Sequence, residues 1–142
     1  MLRFLQNLIR RKSESGAGER GERLAADWLQ RERRFGIIVR NWRSPKDRRD
    51  EIDLICDDGG VLVFVEVKAR AGGALVQGYH AVDERKKRAL RRAIRTYLAH
   101  LREKPRTFRF DIVEVAFPSS EATPPEILHF ENVALFSKHF RG

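Results

Sequence analysis

Two strand-like runs around a tight turn constrain this chain more than any other feature. Ile52–Cys56 and Val61–Lys68 flank Asp57-Asp58-Gly59-Gly60, a pattern that predicts an antiparallel hairpin. Side chains alternate along a strand, so Val63, Val65 and Val67 take one face and Phe64, Glu66 and Lys68 the other. The valine face is core. Glu66 and Lys68 then stand together on the opposite face, about 6–7 Å apart along the strand. A two-residue turn at Asp58-Gly59 sets Asp53 opposite Phe64 and Glu51 opposite Glu66, so Asp53 becomes a diagonal neighbour of Glu66 on that face. Any register of the same parity keeps the three together, and a slip of one residue scatters them.

The rest of the chain supplies helices to cover such a sheet. Residues 2–12 can form a short amphipathic helix through Leu5, Leu8 and Ile9, and Ser13–Ala17 reads as a break. A helical pattern runs from Gly18 to about Arg34, with Leu24, Ala25, Trp28 and Leu29 as its core stripe. Ile37-Ile38-Val39 predicts a short strand, Ser44–Arg49 a loop, and Ala71–Gly78 a flexible glycine-rich segment. The longest helix runs from about Val82 to Leu101, burying Leu90, Ile94, Tyr97, Leu98 and Leu101. Phe108–Phe117 follows as a strand and Ile127–Phe130 as an edge strand. This order predicts an α/β fold, a sheet packed against helices. At 142 residues the expectation is one domain, residues 16–142, behind a basic amphipathic extension at 1–15.

Charge narrows the partners. The net charge of +9 and pI near 10.4 favour polyanions: DNA, RNA or an anionic membrane surface. No run reaches the roughly 18 apolar residues of a membrane span, so integral membrane association is not expected. The start, broken by Arg3, Gln6 and Asn7, is a poor export signal, and the single Cys56 cannot form an internal disulfide; both favour a cytoplasmic location. Gly16, Gly18 and Gly21 spell G-x-G-x-x-G, but no strand precedes them as dinucleotide binding requires, and the glycines are expected to shape a helix entry. His80, His100, His129 and His139 are too scattered for a zinc site. Neither a serine-hydrolase elbow nor a phosphate-binding P-loop sequence is present.

What survives is Asp53, Glu66 and Lys68. Two carboxylates on one face suit a hard divalent cation, Mg²⁺ or Mn²⁺, and repel one another without it. A lysine beside them can hold a water or balance charge building on a phosphate. The plain alternative is a solvated Glu66–Lys68 pair worth at most about 1 kcal/mol. Glu22, at the edge of its helix stripe, is either a further carboxylate for the site or an acid placed by the helix dipole. Lys86 either reaches the same pocket or a nucleic-acid phosphate, or snorkels at the core rim. On the long helix, Arg85, Arg88, Arg92 and Arg95 form an outer stripe suited to phosphate contact, with Arg43 part of a further basic run. Trp42 can stack on a base or sit half-buried in a strand.

The ordered set Gly18–Glu22, Asn41-Trp42-Arg43, Glu51–Ile55, Phe64–Arg70, Lys86 and Arg109-Phe110-Asp111 resembles the YraN family of uncharacterised bacterial proteins. That family lies within the PD-(D/E)XK nuclease superfamily, and the similarity covers residues 16–132. The resemblance implies a restriction-endonuclease-like three-layer core, a mixed central sheet flanked by helices, akin to Holliday junction resolvases. It implies Asp53 and Glu66 as ligands of Mg²⁺ or Mn²⁺ with the Val67 carbonyl, and catalytic roles for Lys68 and Glu22. Asp50 stands where the family usually has glycine. The expectation is a metal-dependent DNA endonuclease-like protein, with branched or structured DNA as a candidate substrate and a homodimer as a candidate assembly. The alternative is a non-catalytic nucleic-acid-binding module on the same fold. A third reading is a membrane-surface protein held by residues 1–12.

Overall fold

The computed structural model describes residues 2–72 and 82–136, with side chains described from Gly16 onward except Ala17. Most of the glycine-rich 71–78 segment, with His80 and His139, lies outside the described residues. Helix α1 spans Leu2–Glu32 without the expected break at 13–17. A glycine inside a helix costs only about 1 kcal/mol relative to alanine, so Gly16 and Gly18 do not end it. Strands β1 (Gly36–Arg43), β2 (Glu51–Asp58) and β3 (Val61–Ala71) follow, then α2 (Glu84–His100), β4 (Phe108–Phe117) and β5 (Glu126–Phe130).

The five strands lie in sequence order, antiparallel except for the parallel pair β3–β4, which α2 connects. The sheet is therefore mixed. Ala25, Ala26 and Leu29 of α1 pack on Leu54, Cys56, Val63, Val65, Val67, Val113 and Val115. Leu90, Ala93, Ile94 and Leu98 of α2 cover Ile52, Ile55, Phe64, Phe110 and Ile112 on the other face. Each of these Val, Leu, Ile and Phe side chains contributes about 1.5–3 kcal/mol on burial. The result is an α/β three-layer fold consistent with a restriction-endonuclease-like core. Among the described residues no helix is long and apolar enough to cross a membrane.

The hairpin register corrects the sequence-based expectation. Asp58 pairs with Val61 and Leu54 with Val65, so the turn is Gly59-Gly60 rather than Asp58-Gly59. Both glycines have positive φ, +56° and +95°, as the tight hairpin turn demands. The shift is two residues, so parity survives.

A second departure lies beside it. Val39 and Trp42 on β1, and Ile52 and Ile55 on β2, all pack on the α2 side although each pair is three residues apart. Strict alternation is broken where Asn41 takes a left-handed φ of +51°. Asp53 lies inside that change of phase.

Candidate metal and nucleic-acid site

The register pairs of β2 and β3 end at Leu54–Val65, and just beyond them the Asp53 carboxylate takes over. Its Oδ2 accepts the Val67 N–H at 2.8 Å. On β3, Glu66 is 2% exposed, and its Oε1 lies 3.4 Å from both Lys68 Nζ and Lys86 Nζ. Its Oε2 is buried with no hydrogen-bond partner. Burial, then the neighbouring Glu66 charge, push Asp53 well above the usual carboxylate range, and Glu22 adds to the effect.

Two other elements deliver side chains to this point. A Cβ on Gly21 would lie 2.6 Å from the Ala69 Cβ, so only glycine lets α1 approach β3 this closely. Glu22, the next residue, is half-buried, and burial, Glu51 and Glu66 raise its pKa against a lowering side-chain hydrogen bond with Asn41. On α2, the Asp83 carboxylate caps the helix by accepting the Lys86 N–H at 2.8 Å. Burial pulls the Lys86 pKa down, but Glu66 and Asp53 outweigh it and the net shift is upward. Lys86 therefore reaches the acidic cluster rather than merely snorkelling. Structure brings Asp53, Glu66, Lys68, Lys86 and Glu22 into one electrostatic neighbourhood.

Lys68 and Lys86 also line a groove of about 800 Å³ between α2 and the 47–50 loop, together with Arg85, Arg88 and Arg92. Arg85 and Arg88 have no ion-pair partner among the described residues. Arg92 is committed: Asp50, 6% exposed, accepts its Nε and Nη2 at 3.1 and 3.0 Å. That pairing turns Asp50 away from competing for a cation. Arg43 lies 3.4 Å from Glu51, and Arg95 stands over the Phe136 ring. Trp42 is half-buried, edge-on to Tyr97, which fits the structural reading of that residue. A second cavity of about 500 Å³ at the opposite end of β4, lined by Phe108, Phe110 and Phe136, contains no carboxylate.

Among the described residues no three His, Cys, Asp or Glu side chains form a metal cage. The donors that fit a divalent ion are Asp53, Glu66 and the Val67 carbonyl. Such a set suits Mg²⁺ or Mn²⁺, which bind through one or two carboxylates and retain several waters. The unpartnered Glu66 Oε2 supplies the observation that favours this fit.

Sequence reasoning missed Asn41 as the partner of Glu22, and it missed the Asp111 network. Asp111 is fully buried on the α1 face of β4; it accepts from Arg109 Nε at 2.9 Å, His129 Nε2 at 2.8 Å and the Asn132 N–H at 2.9 Å. A carboxylate among Val113, Val115 and Phe117 on an apolar strand face was the available signal, since such a group must find partners.

These features define an α/β three-layer protein with an acid–lysine cluster where its central strands β2 and β3 part. The chain belongs to the uncharacterised protein family UPF0102, which it matches over residues 21–115. It is 49% identical over 98 residues to a UPF0102 protein of Symbiobacterium thermophilum, covering 69% of this chain and 80% of the relative. A UPF0102 protein of Anaeromyxobacter dehalogenans is 42% identical over 113 residues, covering 80% and 79%. One from Mycobacterium tuberculosis is 38% identical over 119 residues, covering 82% and 90%.

Proposed function

We propose that this chain is a divalent-metal-dependent, DNA endonuclease-like phosphodiester hydrolase acting in the cytoplasm, with branched or structured DNA as a candidate substrate. One observation carries the reading: buried Glu66 holds two lysines on one oxygen and leaves the other unpartnered beside buried Asp53. Asp53, Glu66 and the Val67 carbonyl would hold Mg²⁺ or Mn²⁺, and the ion would supply Lewis-acid stabilisation of charge building on the phosphate. Lys68, about a third exposed at the groove, orients the attacking water and balances phosphate charge. Glu22 holds water from the α1 side. Arg85 and Arg88 take flanking phosphates, and Arg43, Arg92 and Arg95 make outlying contacts while keeping their present partners. A homodimer would present two such sites to a branched substrate.

The test is cleavage of branched and linear DNA in Mn²⁺ together with thermal melts. Cation at 100 times its Kd adds about 2.7 kcal/mol of stability, so the melting point rises measurably. Lys68→Ala is expected to cut at least about 100-fold more slowly while still binding DNA. Cleavage unchanged by Lys68→Ala overturns the catalytic role. The unpaired Arg85 and Arg88 favour a second reading, a non-catalytic nucleic-acid-binding module. Salt-sensitive DNA binding with no Mn²⁺-dependent cleavage would select it.

A further inference from the structure

Glu114 is the one fully buried carboxylate, among the described residues, with both oxygens unpartnered. An ionised carboxylate without partners is among the most unfavourable groups a core can hold. It stands on the α2 face of β4, in line with Phe110 and Ile112, and its register partner across the parallel pair is Lys68. Their side chains emerge from the same face of strands about 4.8 Å apart. Glu66, two residues before Lys68 on the same face of β3, is thus a diagonal neighbour of Glu114. Lys68 sits between two carboxylates, and among the described residues its ion-pair partner is Glu66.

We propose that Glu114 is a positioning residue for Lys68, the carboxylate to which the Lys68 ammonium passes when a divalent cation takes its place on Glu66. The inference rests on the metal reading above. A cation arriving at Glu66 meets two ammoniums already on Oε1, and a further double charge on that carboxylate repels Lys68, the one of the two paired in register with Glu114, toward the next strand. The flexible four-carbon stem lets the ammonium turn to the adjacent strand. Glu114 then gains the partner it lacks, and Lys68 stays beside the groove rather than leaving into solvent. Arg70, on the same face, is the competing partner; burial raises the Glu114 pKa and the Arg70 charge offsets this only in part, no hydrogen bond joins the two, and the Arg70 Nε is also unbonded.

The experiment is Mn²⁺ binding to the full chain by isothermal titration calorimetry, without nucleic acid. Glu114→Gln is expected to weaken binding about 5- to 10-fold, a coupling of about 1–1.4 kcal/mol. In a Lys68→Met background the same substitution should have no effect, because no ammonium needs rehousing. An equal loss in both backgrounds makes Glu114 a direct ligand or a distant charge and overturns the proposal, as does no loss in either. If the unaltered chain binds no Mn²⁺, the metal reading itself fails, a result distinct from binding without coupling. Glu114→Met supplies a second readout: the cation-free melting point should rise by several degrees, since an unpartnered buried carboxylate is removed. A lower melting point would reveal a stabilising partner in the cation-free chain and overturn the proposal.

Discussion

Asp111 on β4 and Asp53 on β2 are both buried carboxylates, yet their surroundings drive them in opposite directions. Burial raises the Asp111 pKa, but hydrogen bonds from His129, Arg109 and the Asn132 amide outweigh it and hold the group below its ordinary value. Arg109 in turn reaches Asp58 at 2.9 Å, while Trp28 and Phe35 stand edge-on to the His129 ring. Asp53 accepts one backbone hydrogen bond and faces other carboxylates, so burial and Glu66 push it well above the usual range. The first network gives both Asp111 oxygens donors, and the one buried atom it leaves unbonded is His129 Nδ1, 3.9 Å from Glu131. The second is left electrostatically unfinished, with Glu66 Oε2 unbonded, and the proposed cation site rests on that difference. Burial alone therefore does not set the direction in which a carboxylate shifts; the completeness of its partners does.

The largest effect that can test this contrast comes from Asp111→Ala. Losing one member of a buried hydrogen-bonded pair leaves charge uncompensated and typically costs about 3–5 kcal/mol. Denaturant unfolding should show that loss with or without Mn²⁺. A loss below about 1 kcal/mol would mean the network is not the structural anchor its geometry indicates.

The Asp53 side of the contrast was legible from residue order and the Asp111 side was not, and the misses have physical causes. Alternation on β3 placed Glu66 and Lys68 together and the valines in the core, because successive side chains of any strand take opposite faces. Asp53 reached its neighbourhood by a different route from the expected one. The turn moved to Gly59-Gly60, and the left-handed Asn41 changed the phase of β1 beside it. Both depend on tertiary packing, which a local pattern does not encode. The Gly21–Ala69 approach was hidden for the same reason, since a helical glycine looks alike whether it faces water or a sheet. His129 was set aside for want of a metal-spaced partner, although its partner is a carboxylate from another strand.

A pH series sharpens the comparison with a smaller effect of opposite sign. The stabilisation from Asp111 is fully present above its unfolded pKa of about 3.9 and disappears as pH falls through its lower native value. Asp53, with a raised native pKa, behaves in reverse: its contribution is intact below about 3.9 and is lost as pH rises through the native value. Asp53→Asn keeps an acceptor for the Val67 N–H and removes one charge. It should melt higher than the unaltered chain at neutral pH and converge with it in acid, whereas Asp111→Asn should melt lower at neutral pH. If both variants shift the same way at neutral pH, the two carboxylates are not opposites.

The smallest effect probes how α2 supports the unfinished side. Asp83 caps the helix through the Lys86 amide, so the cap fixes the first turn that carries Lys86 to Glu66. Asp83→Ala should cost about 1 kcal/mol, and Asp83→Ser should recover most of it because serine is also a good cap. A frayed first turn would loosen the Lys86–Glu66 pair and leave Glu66 with one ammonium instead of two. Mn²⁺ should then bind slightly more tightly to the alanine variant and normally to the serine variant, while the Asp111 network, on the far face of the sheet, stays unchanged. Weaker Mn²⁺ binding on loss of the cap would show instead that Lys86 helps assemble the acidic cluster rather than standing in for its cation.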